Sequence, residues 1–131
     1  MTKEPKKGTK EMRRIATIAT TLTLMLALSA GVAMAATIEG HSWAETLKGT
    51  AGADTIHGWG GDDAIHGMAG NDLLYGDGGH DGLYGGPGND TIHSVGDGEG
   101  DYVDCGSGTD TVRKGSDQNL DRFVGCERFV S

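Results

Sequence analysis

Aspartate recurs at every ninth residue through the middle of the chain, at Asp54, Asp63, Asp72, Asp81 and Asp90. A glycine stands two residues before each of them. Calcium is a hard cation that takes about six to eight oxygen ligands, from carboxylates and from carbonyls of the kind that glycine-rich turns expose. These residue types at this spacing therefore predict a row of calcium sites.

The aspartates belong to five consecutive nine-residue units, which are GTAGADTIH, GWGGDDAIH, GMAGNDLLY, GDGGHDGLY and GGPGNDTIH. In every unit, glycine holds positions one and four, aspartate holds position six and an aliphatic residue holds position eight. This spacing matches the nonapeptide G-G-x-G-x-D-x-U-x. The chain resembles the RTX family of hemolysin-type calcium-binding repeats, and the resemblance covers nearly all of the chain beyond residue 35.

The resemblance implies an all-β fold, a parallel β-roll, which is a two-sheet right-handed β-solenoid with one unit in each half-coil. Each x-U-x tripeptide is then a short strand whose central residue points inward. The aliphatic ladder continues backwards from Ile56 to Leu47 and Ile38. With one core residue in nine, burial at about 1.5–3 kcal/mol each does not offset about 1–2 kcal/mol of backbone entropy per residue. Something besides hydrophobic burial must stabilise such a roll.

In this fold, units n and n+2 stack about 4.8 Å apart, so each ion is expected between two turns on the same side. The complete pairs are Asp54 with Asp72, Asp63 with Asp81, and Asp72 with Asp90, which predicts three or more Ca²⁺ ions. Further pairs are Asp81 with Asp101 and Asp90 with Asp110, although a two-residue insertion after His93 affects a turn in each. The alternative is that these aspartates only favour turns. Without cations, however, carboxylates about 4.8 Å apart would repel by roughly 3 kcal/mol at an effective dielectric constant of 20.

The predicted roll, residues 36–131, divides into an N-terminal cap with the first strands (37–48), regular repeats (49–93), irregular repeats (94–113) and a C-terminal cap (114–131). Trp43 is expected to cover one open end of the stack, and Phe123 and Phe129 the other. If Asp121 holds position six of its unit, Cys105 and Cys126 lie on the same side one coil apart, which predicts a disulfide. Two free thiols are the alternative, which an exported protein disfavours.

Residues 1–35 have the layout of a secretory signal peptide: six Lys and Arg residues, an uncharged run from Ile15 to Val32, and the cleavage signal Ala33-Met34-Ala35. A membrane anchor is the alternative, and translation could start at Met1 or Met12. We expect a secreted, extracellular protein with no membrane span after cleavage. Residues 36–131 would carry a net charge of −12, which excludes nucleic acid and anionic membranes as default partners.

The predicted function is calcium binding coupled to folding, in a structural or interaction module for an envelope, glycan or protein partner. Leu73, Tyr75 and Tyr84 could supply a small apolar patch for that partner. No catalytic constellation is apparent, and the histidines at position nine lie too far apart for zinc, so we expect no enzyme. The alternative is an ice- or glycan-binding solenoid, which position seven (Thr55, Ala64, Leu73, Gly82, Thr91) disfavours because it is no regular threonine array.

Overall fold

A computed structural model describes residues 33–94, 97–116 and 120–131. Most of the predicted signal peptide lies outside these ranges, as do parts of the irregular repeats and of the C-terminal cap. The described part contains no helix that is long and apolar enough to cross a membrane. It forms short strands at β1 Thr37–Glu39, β2 Thr46–Lys48, β3 Thr55–His57, β4 Ala64–His66, β5 Leu73–Tyr75, β6 Gly82–Tyr84, β7 Thr91–Ser94, β8 Tyr102–Asp104, β9 Thr111–Lys114, β10 Arg122–Val124 and β11 Arg128–Val130.

Successive strands alternate between two parallel sheets. The first sheet has the order β1-β3-β5-β7-β9-β11, and the second has the order β10-β8-β6-β4-β2. Ile56 lies opposite Leu74, and Leu74 lies opposite Ile92, a step of eighteen residues per coil. Ile92 then lies opposite Val112, so the two-residue insertion is absorbed in a turn and the strand register is kept. The prediction of a parallel β-roll is confirmed.

The core is the row of aliphatic residues at the centres of the strands. Because side chains alternate along a strand, only this central residue points between the sheets. The fully buried core consists of Ile56, Ile65, Leu74, Leu83, Ile92, Val103, Cys105 and Val112. Such a core is one side chain wide, so most of the chain lies in turns and outer strand positions.

The two ends of the roll are covered differently from each other. At the N-terminal end, Ile38 and Leu47 pack against the core, whereas Trp43 is 57% exposed and stacks on His41 with 4.4 Å between ring centroids. The expectation that Trp43 covers this end is therefore wrong, because its ring packs on His41 and not on the core. At the other end, Phe123 packs against the core as expected, and the largely exposed Phe129 lies edge-on to it.

The outer faces also differ from the expectation, because neighbouring units lie on opposite sheets. Leu73 and Tyr75 belong to the first sheet and Tyr84 to the second, so they do not form one apolar patch. Position seven of the first sheet reads Thr37, Thr55, Leu73, Thr91 and Thr111 down successive coils. Threonine thus forms a column that a single leucine interrupts. The column is not visible when position seven is read in sequence order, because successive units lie on opposite sheets.

A disulfide joins Cys105 and Cys126, with 5.2 Å between their Cα atoms. Cys105 is fully buried and Cys126 packs against the core. The bond ties the turn before β9 to the turn before β11, so it fastens the last coil to the one above it.

Candidate metal centre

The turns between strands require glycine for two different reasons. At position four the backbone is left-handed in the last four regular units, as at Gly70 (φ 106°) and Gly79 (φ 116°), a conformation that glycine adopts freely. At position one the reason is close approach. A Cβ on Gly67 would lie 2.5 Å from Asp72 Oδ2 and 2.8 Å from the carbonyl oxygen of Gly85. Position one therefore leaves a hollow between a carboxylate and a main-chain oxygen, which we call the first-glycine hollow.

Position two is also left-handed in four of the five regular units, three of which carry a side chain there. Trp59, Met68 and Asp77 have φ values of 72°, 76° and 66°, and Gly86 has 90°. A non-glycine residue in this region costs free energy and persists only where the surrounding structure imposes it. Three different side chains and one glycine share this conformation, so it does not depend on which of these residues holds position two, whereas Thr50 of the first unit does not adopt it.

All seven predicted aspartates are buried, with at most 3% of each exposed. They form two files, one on each side of the roll. The first file is Asp54, Asp72, Asp90 and Asp110, and the second is Asp63, Asp81 and Asp101.

Within each file, one carboxylate oxygen links neighbouring coils. The main-chain N–H of Asp54 donates to Asp72 Oδ1 at 2.8 Å, and that of Asp72 donates to Asp90 Oδ1 at 2.8 Å. The pairs that span the insertion have the same link, at 3.0 Å for Asp81 to Asp101 and at 2.7 Å for Asp90 to Asp110. The irregular turns thus place their aspartates as the regular turns do.

The other carboxylate oxygen is buried and unpaired in most of these residues. Among the described residues, no hydrogen-bond partner exists for the Oδ2 atoms of Asp63, Asp72, Asp81, Asp90 and Asp110. A buried, unpaired polar oxygen is costly, and a bound cation removes that cost. In the first-glycine hollows of Gly58, Gly67 and Gly85, this oxygen and a main-chain carbonyl oxygen face the same point. The donor set is oxygen alone, which fits calcium.

Asp54 and Asp101 differ from those five because side chains from their own turns reach them. Asp54 Oδ2 accepts hydrogen bonds from the N–H of Thr50 at 2.5 Å and from its hydroxyl at 3.0 Å. Asp101 Oδ2 lies 3.4 Å from Ser94 Oγ. At Asp54 and Asp101, protein groups therefore already supply part of the hydrogen bonding that the carboxylate needs.

Burial raises the pKa of several carboxyl groups in the files. It raises the pKa of Asp81 to about 7, an effect that the N–H of Asp63 opposes and the charge of Asp101 reinforces. Burial likewise raises the pKa of Asp72, Asp90 and Asp101 to about 6. Without a cation, the carboxyl groups of each file therefore either bind protons near neutral pH or carry buried charges that repel each other and cost free energy.

Two further carboxylates extend the files, and the sequence prediction did not include them. Asp121 Oδ1 accepts the N–H of Asp101 at 3.0 Å, and Glu127 Oε2 accepts the N–H of Asp110 at 2.9 Å. Each stands two residues before the phenylalanine of its strand, the same spacing as aspartate to aliphatic residue in the regular units. That carboxylate-x-phenylalanine pattern is the signal that could have identified both.

The histidines do not converge on a metal site. His57 lies on the first sheet and His66 on the second. The ring of Tyr75 stacks between those of His57 and His93, with centroid distances of 4.1 and 4.4 Å. Nowhere in residues 33–94, 97–116 and 120–131 do three or more His, Cys, Asp or Glu side chains form a metal-binding group.

Stacked glycine-aspartate turns on both sides of two parallel sheets define the class of calcium-binding parallel β-rolls. Residues 44–74 and 60–92 match the family model described as RTX calcium-binding nonapeptide repeat (4 copies). Residues 44–92 belong to this repeat family, whose β-roll is a structural calcium-binding module. No curated protein and no solved structure matches the chain.

Proposed function

We propose that residues 36–131 form an exported module that binds several Ca²⁺ ions through Asp54, Asp63, Asp72, Asp81, Asp90, Asp101 and Asp110. The observation that carries the proposal is the set of five buried carboxylate oxygens without a partner among the described residues. Main-chain carbonyls at the first-glycine hollows supply the remaining protein ligands. Calcium, when bound, supplies the positive charge that the buried files lack.

Folding is coupled to this binding. The residues after the predicted cleavage site carry a net charge of −12 and 22 of the 24 glycines, so the unfolded chain has both repulsion and high entropy in its favour. Ions that bind only the folded chain stabilise it by the free energy of binding. Extracellular modules bind calcium at about 10⁻⁴–10⁻³ M. We expect the chain to be unfolded before export and folded outside the cell.

The first test is far-UV circular dichroism of residues 36–131 with the disulfide intact, titrated with Ca²⁺ and then with Mg²⁺. A cooperative change from coil to β-structure at millimolar calcium is expected. Magnesium should not reproduce it, because Mg²⁺ demands near-ideal octahedral geometry and gives up its waters reluctantly. A chain that is already β-structured in chelator would contradict calcium-coupled folding.

A second test uses Asp72, which takes part in two predicted pairs. We expect Asp72→Asn to raise the calcium midpoint severalfold and to lower the number of bound ions, because a neutral amide removes charge from two neighbouring sites. Asp104→Asn is the matched control, since Asp104 lies outside the files on an outer strand position. Equal calcium titrations for the two variants would contradict the assignment of the file as the metal site.

The role outside the cell is proposed to be structural, with an envelope, glycan or protein partner and without catalysis. A second candidate is ice or glycan binding by an outer face, which the threonine column of the first sheet favours. Its test is thermal hysteresis of the calcium-loaded protein, compared with Thr55→Lys and Thr91→Lys variants. Absence of hysteresis in the unaltered protein would remove ice binding, and a glycan array would test the other ligand class.

A further inference from the structure

Ser94 is a fully buried serine whose hydroxyl lies between two file carboxylates. Its Oγ donates to Asp121 Oδ2 at 2.5 Å and lies 3.4 Å from Asp101 Oδ2. In the coils above, Asp63 Oδ2 and Asp81 Oδ2 of the same file have no such donor in the described part of the chain. At Ser94, the carboxylates of the second file therefore have a protein hydrogen-bond donor that the carboxylates above lack.

The position of Ser94 in its unit explains the change. It follows Ile92 and His93, as Gly58 follows Ile56 and His57 and as Gly76 follows Leu74 and Tyr75, so it holds position one. At Gly58 a Cβ would lie 2.6 Å from Asp63 Oδ2, and at Gly76 it would lie 2.7 Å from Asp81 Oδ2. Position one thus borders the carboxylate oxygen directly. At Ser94 it is the hydroxyl that occupies the first-glycine hollow, since Oγ reaches the Oδ2 atoms of both Asp101 and Asp121.

We propose that Ser94 ends the second calcium file: its side chain occupies the first-glycine hollow of its unit and excludes a cation from between Asp101 and Asp121. This inference rests on the proposed function, since it assumes that the glycine-lined hollows above take calcium. The pair otherwise has the features of a site. The two residues are linked by the same N–H to Oδ1 hydrogen bond, and Asp101 is 3% exposed.

The direct test is Ser94→Gly, which restores the residue found in the regular units. The number of Ca²⁺ ions per chain is counted by native mass spectrometry of the disulfide-bonded protein at saturating calcium, and circular dichroism verifies that the variant folds. The variant is expected to bind one ion more than the unaltered protein. An unchanged count would overturn the role of Ser94 and leave the remaining calcium sites intact.

A second pair of variants tests the same inference in protein that keeps Ser94. Asp121→Asn should leave the ion count unchanged, because no cation lies beside Asp121, whereas Asp81→Asn in the same file should lower it. A loss of one ion in Asp121→Asn would overturn the inference. Unaltered protein that binds no calcium at all would instead overturn the proposed function, and this inference with it.

Discussion

At the residue scale, the first and fourth glycines of a unit have separate physical roles. Position four needs glycine because its φ is positive, and position one needs it because a carboxylate and a carbonyl approach its Cα closely. The two roles predict different consequences of adding a single methyl group. Substitution at position one should disturb a calcium site directly, while a neighbouring glycine outside both roles should tolerate the change.

Gly67→Ala tests this distinction. Its Cβ would lie 2.5 Å from Asp72 Oδ2, so we expect a loss of about 1–3 kcal/mol in the free energy of unfolding and a higher calcium midpoint. Gly78→Ala is the control, because its Cβ would meet no heavy atom nearer than 3.6 Å. Thermal unfolding and calcium titration of both variants give the comparison. Similar losses in the two would show that glycine content, and not the hollow, sets the effect.

At the scale of elements, the irregular end of the roll is held by the disulfide and by a small aromatic cluster. Lys114 Nζ lies 4.1 Å from the centroid of the Phe129 ring, and Phe129 lies edge-on to Phe123. The last strand, β11, is exposed along its length. Few buried apolar groups therefore fix this coil, and the covalent link replaces part of the missing core.

Replacing both cysteines with serine should loosen the last coils. The disulfide spans 21 residues, and a loop of about that length contributes roughly 3 kcal/mol of stability. We expect the double variant to need more calcium to fold and to show faster amide hydrogen exchange in β9 to β11 than in β3 to β6. A calcium midpoint and an exchange pattern equal to those of the unaltered protein would contradict a stabilising role for the bond.

At the scale of the whole molecule, the buried oxygens proposed to bind calcium are also those that can bind protons. Burial raises the pKa of Asp81 to about 7 and that of Asp72, Asp90 and Asp101 to about 6, above the value of about 3.9 in an unfolded chain. In the absence of calcium, the folded state therefore binds more protons than the unfolded state between about pH 4 and 7. The stability that this provides is complete at the lower pH and is lost as pH rises through the folded-state pKa values.

The calcium-free chain should consequently be more β-structured at about pH 5 than at about pH 7.5, because protons can partly replace cations in the files. The calcium midpoint should rise as pH falls over the same range, since each ion must displace protons. Circular dichroism in calcium-free buffer and calcium titrations at the two pH values test both statements. Calcium-free chain that is less structured at about pH 5 than at about pH 7.5 would contradict the burial of these carboxylates.

The nine-residue period is enough to predict the roll, because glycine, aspartate and an aliphatic residue at fixed positions specify turn, carboxylate and core together. It also located the seven file aspartates and the two cysteines. These are properties that each unit repeats, so one unit predicts the next. The files continue through the insertion at Asp101 and Asp110 because extra residues are absorbed in turns and do not shift the strands.

Which units share a face, what covers each end and where the files stop depend instead on contacts between coils. Sequence neighbours lie on opposite sheets, so the threonine column and the separation of Tyr75 from Tyr84 emerge only from the stacking. Trp43 stacks on His41 and leaves Ile38 and Leu47 to pack against the core. The roles of Ser94, Asp121 and Glu127 depend on contacts between coils that join residues 27, 20 and 17 positions apart. Asp121 and Glu127 share the carboxylate-x-phenylalanine pattern within their own units, whereas the contact of Ser94 with Asp121 has no signature within one unit.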